Sequence, residues 1–159
     1  MREIIDRVTA FLTCSLMIVM VFIACWQVFT RFVLSAPSTI SEEFLRYSLI
    51  WLTMVGSAYA YGKKKHLAVV FAARKIPVKY QLFVHLLVEA IVILFIVVVL
   101  LFGGTKAYQN AIGQVSSAIG MPMEYLYLSL IVSGVLFLFY SILHIKDYFV
   151  KHKQMSQMN

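Results

Sequence analysis

Uncharged apolar runs recur four times along the chain. Val8 to Thr30 carries no charge, Tyr47 to Gly62 carries none and reaches spanning length if it starts near Phe44, Tyr80 to Thr105 is interrupted only by Glu89, and Tyr125 to Ile145 is clean. About 18–20 apolar residues at a 1.5 Å rise cross the hydrocarbon layer of a bilayer. The pattern therefore predicts an all-α membrane protein with four transmembrane helices, over about 8–31, 43–62, 80–105 and 124–145, in a single membrane domain covering 1–159. The first run is too long for the h-region of a signal peptide, which spans about 7–15 residues, and no small-residue cleavage site follows it. It is read as a retained helix.

Composition sharpens this reading. Of 159 residues, 62% are hydrophobic and only 13% charged, and the mean hydropathy is +0.86. A water-soluble domain carries about 25% charged residues. A net charge of +7 would suggest nucleic acid in a soluble protein. Here the positions matter more, because Lys and Arg concentrate on the cytoplasmic side of membrane proteins. Arg2, Arg7, Lys63, Lys64, Lys65, Arg74, Lys75, Lys79, Lys146, Lys151 and Lys153 flank one side of the four runs, against Arg31, Arg46 and Lys106 on the other. That split predicts both termini inside and no nucleic-acid partner. The stretch 41–46 and the loop 103–123 then face out, toward the periplasm in a Gram-negative cell.

The polar punctuation is sparse enough to read residue by residue. Trp26 and Arg31 close the first run, where indole rings and snorkelling arginines settle at an interface. Thr39 precedes Glu42 by three residues, a capping-box spacing. Glu42 and Glu43 fall in a first helical turn, where the helix dipole favours anions. Arg46 follows at i+4 and i+3, so the three are expected to share a face and to form a partly desolvated cluster. Thr53, Gly56 and Ala60 continue that face, and Gly56-x-x-x-Ala60 is a small-xxx-small pattern suited to close helix packing. Between the second and third runs, "KKKHLAVVFAARKIPVKY" places Lys63, Lys64, Lys65, His66, Arg74, Lys75 and Lys79 around a short apolar stretch. This predicts an amphipathic helix over about 66–76 lying on phospholipid headgroups. Cys14 and Cys25 lie about 16 Å apart along one helix axis, too far for a disulfide, and are expected to be small core residues. Pro122 is placed for the first turn of the last helix, and the tail "KHKQMSQMN" is expected to fray.

Glu89 is the one formal charge inside the third run, about nine residues in and near the expected midplane. An ionisable group at that depth faces protein, where it either joins helices or serves a transport step. Two rival chemistries follow: a small proton-coupled exporter using Glu89, and a haem-binding anchor ligated by His85 and His144. No phosphate loop, CxxC, HExxH or serine–histidine–acid set is present, so no enzyme activity, metal or cofactor is expected.

With those residues in place, the chain resembles the small integral-membrane subunit of tripartite ATP-independent periplasmic (TRAP) transporters, the DctQ-like family. The resemblance runs through "WQVFTRF" at 26–32 and "SEEFLRYSLIWLTMVGSAYAYGKKKHLAV" at 41–69, with Glu42, Glu43, Arg46, Trp51, Gly56 and His66 on the family pattern, and "GMP" at 120–122. Members often carry an acid soon after that histidine, where this chain reads "HLAVVF", so no role of that acid transfers. The resemblance implies an accessory subunit with no transport path of its own. It would form an obligate heterodimer with a large twelve-helix-class membrane subunit of elevator type and extend that subunit's scaffold. A periplasmic binding protein would deliver an organic anion (a C4-dicarboxylate, a sialic acid or another sugar acid) for sodium-coupled uptake across the bacterial inner membrane.

Overall fold

The computed structural model describes residues 2–36, 38–63 and 78–157. Helix α1 spans Arg2–Phe32 and α2 spans Thr39–Gly62. A continuous helical rod follows, made of α3 (Val78–Phe95), a π-helical stretch Ile96–Gly103 and α4 (Gly104–Ala111). The last helix, α5, spans Glu124–Gln157. Among the described residues there is no strand, only an isolated bridge between Val115 and Pro122. Among the described residues three stretches, Glu3–Phe32, Phe83–Ala111 and Glu124–Tyr148, are long and apolar enough to cross a membrane. The 24-residue α2 is long enough at about 1.5 Å per residue but carries more polar side chains.

Several boundaries differ from expectation. Ser38, in extended geometry, caps α2 by accepting the Ser41 amide at 3.3 Å, and the Ser41 hydroxyl joins it at 3.0 Å. A serine so placed satisfies one of the orphan amides of the first turn, so the cap falls one residue before Thr39 and releases Glu42 from the expected capping box. The expected outer loop from residue 103 instead stays helical to Ala111, since nothing in "TKAYQNA" breaks a helix. Pro122 precedes the first turn of α5 and pairs with Val115. The polar tail continues α5 to Gln157. The amphipathic segment 66–76, with Lys64, Lys65, His66, Arg74 and Lys75, lies outside the described residues, and Lys79 falls in the first turn of α3.

The helix backbones pack in the order α1, α2, α5, α3, with α4 also on α5. Close approach is set by small residues. A Cβ at Gly62 would lie 2.4 Å from the Tyr140 ring, and one at Gly134 would lie 2.9 Å from Leu101 in the π-helical stretch. Gly56 does face α1, but a Cβ there would meet only Thr13 at an ordinary 3.8 Å. The small residues buried in α2 are Ser48, Ala58 and Gly62, so the tight contact is offset by two residues from the Gly56–Ala60 pattern. Cys14 and Cys25 are both exposed on α1. The expectation of core positions fails because the α1 backbone packs closely on α2 alone and leaves most of the helix uncovered.

Candidate functional site: two polar clasps

At the end of the bundle that holds Asp6 and Gly62, polar side chains from all four long helices meet. Glu89 of α3 is 6% exposed. Its Oε2 accepts the Tyr61 hydroxyl of α2 and, at 2.9 Å, the Ser141 hydroxyl of α5. Its Oε1 lies 3.1 Å from Nδ1 of His144, also on α5. The other ring nitrogen of His144 sits 3.4 Å from the Gly62 carbonyl, and the Tyr61 and Ser141 hydroxyls are 2.7 Å apart. His85 stacks on Tyr148 at 4.4 Å. The pairs 85–148 and 89–144 match because α3 and α5 run antiparallel and residues four apart share a helix face.

A second group adjoins this one. Asp6 of α1 accepts the Tyr140 hydroxyl on Oδ1 and the Lys63 ammonium on Oδ2, both at 2.7 Å. Asp6 and Tyr140 are buried. Tyr61, Gly62 and Lys63 are consecutive, as are Tyr140 and Ser141, so the two groups form one clasp that joins α1, α2, α3 and α5. Buried charge is tolerated only when paired and hydrogen-bonded. Among the described residues no buried side-chain nitrogen or oxygen lacks a partner.

This geometry places Glu89 in the bundle. Through His144 it stands level with Gly62, the last residue of α2. It therefore lies near the end of the bundle where α2 stops, and the rod continues past Thr105 to Ala111. His85 and His144 are not arranged as a facing pair of haem ligands, since one stacks on tyrosine and the other directs both nitrogens at protein groups. The described residues contain no group of three or more His, Cys, Asp or Glu suited to a metal ion.

At the opposite end, the glutamates of "SEEFLR" divide. Glu42 pairs with Arg46 at 3.6 Å, with side chains 62% and 68% exposed. Glu43, about 100° round the helix, turns to the 112–123 loop. Its Oε2 accepts the Ala118 and Ile119 amides at 2.9 and 3.0 Å, and its Oε1 accepts the Tyr47 hydroxyl at 3.0 Å. The loop is shaped to present those amides. Ser116 and Met121 pair through a 2.9 Å backbone bond, and Gly120 supplies the left-handed residue, at φ +70°, that closes the turn. The expected three-residue cluster is thus a solvated ion pair beside a separate loop anchor. Arg31 lies over Phe32, Trp26 stacks on Phe29, and Trp51 and Ala60 are partly buried on α2.

Two predictions follow from this division. Arg46→Ala is expected to change stability by no more than about 0–1 kcal/mol, the range of exposed ion pairs, as read by SDS titration in mixed micelles. Glu43→Ala removes a charge-assisted acceptor from two amides. Hydrogen exchange at Ala118 and Ile119 is expected to accelerate by about tenfold or more through local opening, with the exchange of α5 unchanged.

The fold, the clasp and the loop anchor define a small multi-pass α-helical membrane protein in which, among the described residues, every buried polar side-chain atom has a partner. A family model described as "Tripartite ATP-independent periplasmic transporters, DctQ component" matches residues 20–150. The chain belongs to this family of transporter subunits, which is not an enzyme family. It is 30% identical to the sialic acid TRAP transporter small permease protein SiaQ of Vibrio cholerae serotype O1, over 87% of this chain and 80% of that protein. Two putative TRAP transporter small permease proteins of Haemophilus influenzae are 21% and 24% identical, over 86% and 91% of this chain and 84% and 87% of their own lengths.

Asp6, Tyr61, Tyr140 and Ser141 were not picked out from sequence. Asp6 sits in a polar first turn, and tyrosines and serines are ordinary in membrane helices. The available signal was Glu89 itself, which needed partners within reach, and His144 at matching antiparallel depth.

Proposed function

We propose that this chain is the accessory membrane subunit of a sodium-coupled TRAP transporter for organic anions. It forms an obligate heterodimer with a large twelve-helix-class membrane subunit in the bacterial inner membrane, with both termini cytoplasmic and α2 as the fourth crossing. A periplasmic binding protein docks transiently and delivers the substrate. A sialic acid is favoured over a C4-dicarboxylate or another sugar acid by the name of the Vibrio cholerae relative. The chain widens the fixed scaffold of the large subunit and carries no substrate itself.

The observation that supports this reading is the state of Glu89. A proton carrier needs an ionisable group that can reach both sides of the membrane. Glu89 is instead bonded through both oxygens to Tyr61, Ser141 and His144 at one end of the bundle. Meanwhile α1 exposes large apolar side chains along its length, including Phe11, Phe22 and Phe29, as a helix does when lipid or another subunit covers it. Arg31, Glu42 and Arg46 are exposed side chains at the Glu43 end that such a subunit could meet.

The test is co-purification. The tagged chain, extracted in mild detergent, is expected to bring down a large, very hydrophobic membrane protein at one-to-one stoichiometry. Purification as a homo-oligomer alone would overturn the accessory reading and favour a self-sufficient exporter.

A further inference from the structure

Between α1 and α5 runs an open groove of about 920 Å³. Helix α2 is its floor, since α1 and α5 each pack on α2 and their backbones do not approach one another. Its walls are apolar and include Ile4, Val8, Leu12, Trp51, Val132 and Leu136. It runs from the first turns of α1 to the 119–121 loop. We propose that this groove is a phospholipid site, with acyl tails lying along it and the headgroup phosphate held at Arg7.

A lipid suits this groove better than a protein helix for three reasons. First, a groove opening sideways into hydrocarbon is filled, because its walls otherwise lose their dispersion contacts, and its volume matches the upper range of pockets that enclose whole small molecules, about 300–1,000 Å³. Second, membrane helices approach each other through small residues and interhelical hydrogen bonds. No glycine or alanine lines this groove. Of its hydroxyls, Thr9 and Thr13 bond back to their own helix, Ser15 does so to Leu12, Tyr47 bonds to Glu43 on its own helix, and Ser48 is buried. Thr13 also faces Gly56 of α2, so this position of α1 already serves the α1–α2 contact. Branched and aromatic walls of this kind suit flexible chains that conform to them. Third, the groove adjoins a smaller recess of about 310 Å³ through Ile4 and Val8, which Glu3 and Arg7 complete. Arg7 is exposed there, at the end of the groove where α1 starts and where a headgroup would sit. Glu3 offsets Arg7 in the net charge of the recess, and the phosphate is placed on Arg7 as the one cation lining it.

The chain has two tryptophans, Trp26 and Trp51, and only Trp51 lines the groove. Trp26→Phe leaves Trp51 as the sole reporter. The full-length variant is reconstituted in phosphatidylcholine nanodiscs containing increasing fractions of phosphatidylglycerol brominated along its acyl chains, or of equally brominated phosphatidylcholine. Trp51 is expected to reach half-quenching at a phosphatidylglycerol fraction about fivefold lower than for phosphatidylcholine, the preference one basic residue confers near a membrane surface. Arg7→Gln is expected to abolish that difference, and Val8→Phe with Leu12→Phe to leave Trp51 largely unquenched by either lipid. Equal quenching by both lipids, or a preference that survives Arg7→Gln, would overturn the site. A second measurement addresses a protein occupant in the intact membrane. A photoreactive benzoylphenylalanine at Leu136 is expected to yield lipid adducts, and a discrete protein adduct there would overturn the proposal while leaving the accessory-subunit reading intact.

Discussion

Glu89→Leu is expected to destabilise the folded chain by about 3–5 kcal/mol, the cost of removing one partner from a buried pair. The side chain lies among Tyr61, Ser141 and His144 on two neighbouring helices. Leucine would leave the imidazole and two hydroxyls facing an apolar surface, and each unsatisfied group carries its own desolvation cost. Glu89→Gln separates charge from hydrogen bonding. Its amide oxygen can accept from Tyr61 and Ser141, while its amide nitrogen donates to Nδ1 of His144. That ring then holds its proton on Nε2, which points at the Gly62 carbonyl. All partners remain satisfied, so the loss is expected to stay within about 1 kcal/mol. SDS titration of the purified chain measures both variants. Uptake by the reconstituted transporter adds a functional readout, and Glu89→Gln is expected to retain it. A Glu89→Gln complex that assembles but no longer transports would show that the carboxyl moves a proton, and the clasp would then be a transport element.

How far this architecture was legible follows from what each residue type can signal. The runs that became α1, α3 with its continuation, and α5 were visible because hydrocarbon tolerates little else at that length. The family was visible in residues 41–69, where an acidic pair, an arginine, a tryptophan and a basic turn recur at fixed spacing. The division of Glu42 from Glu43 was not. Adjacent residues point about 100° apart, and only the folded 112–123 loop decides which one finds amides. The clasp was half legible, since Glu89 demanded partners that the sequence could not choose among nine tyrosines and four histidines. Asp6 was masked by its place in a polar turn, where an acid ordinarily needs no explanation. The packing register of α2 was misread because Gly56–Ala60 and Ala58–Gly62 are both small-xxx-small pairs, and only the position of Tyr140 distinguishes them. Nothing in "IVVVLLFG" announces a π-helical turn, although its β-branched residues weaken α-helical preference. That stretch lodges Leu100 and Leu101 against Gly134, a contact that depends on another helix.

Gly62→Ala tests that register directly. The added methyl would lie 2.4 Å from two carbons of the Tyr140 ring, far inside van der Waals contact. A flexible side chain could move aside, but Tyr140 is fully buried and its hydroxyl is held by Asp6 at 2.7 Å. Relief requires the ring to shift and release Asp6, or the end of α2 to move away from His144. Overpacking of this kind costs about 1–3 kcal/mol, and loss of the Asp6 bond places the result toward the upper end. The partner of the clash is identified by a double substitution. Tyr140→Leu vacates the ring volume, so Gly62→Ala is expected to cost much less in that background than in the native one. Tyr140→Phe keeps the ring and is expected to give no such relief. Gly56→Ala, whose methyl would find Thr13 at an ordinary distance, is expected to be close to neutral by the same SDS titration. If Gly56→Ala proved as damaging as Gly62→Ala, the helix would be packed through the register that the sequence pattern first suggested, and the clasp at its end would be built from other contacts.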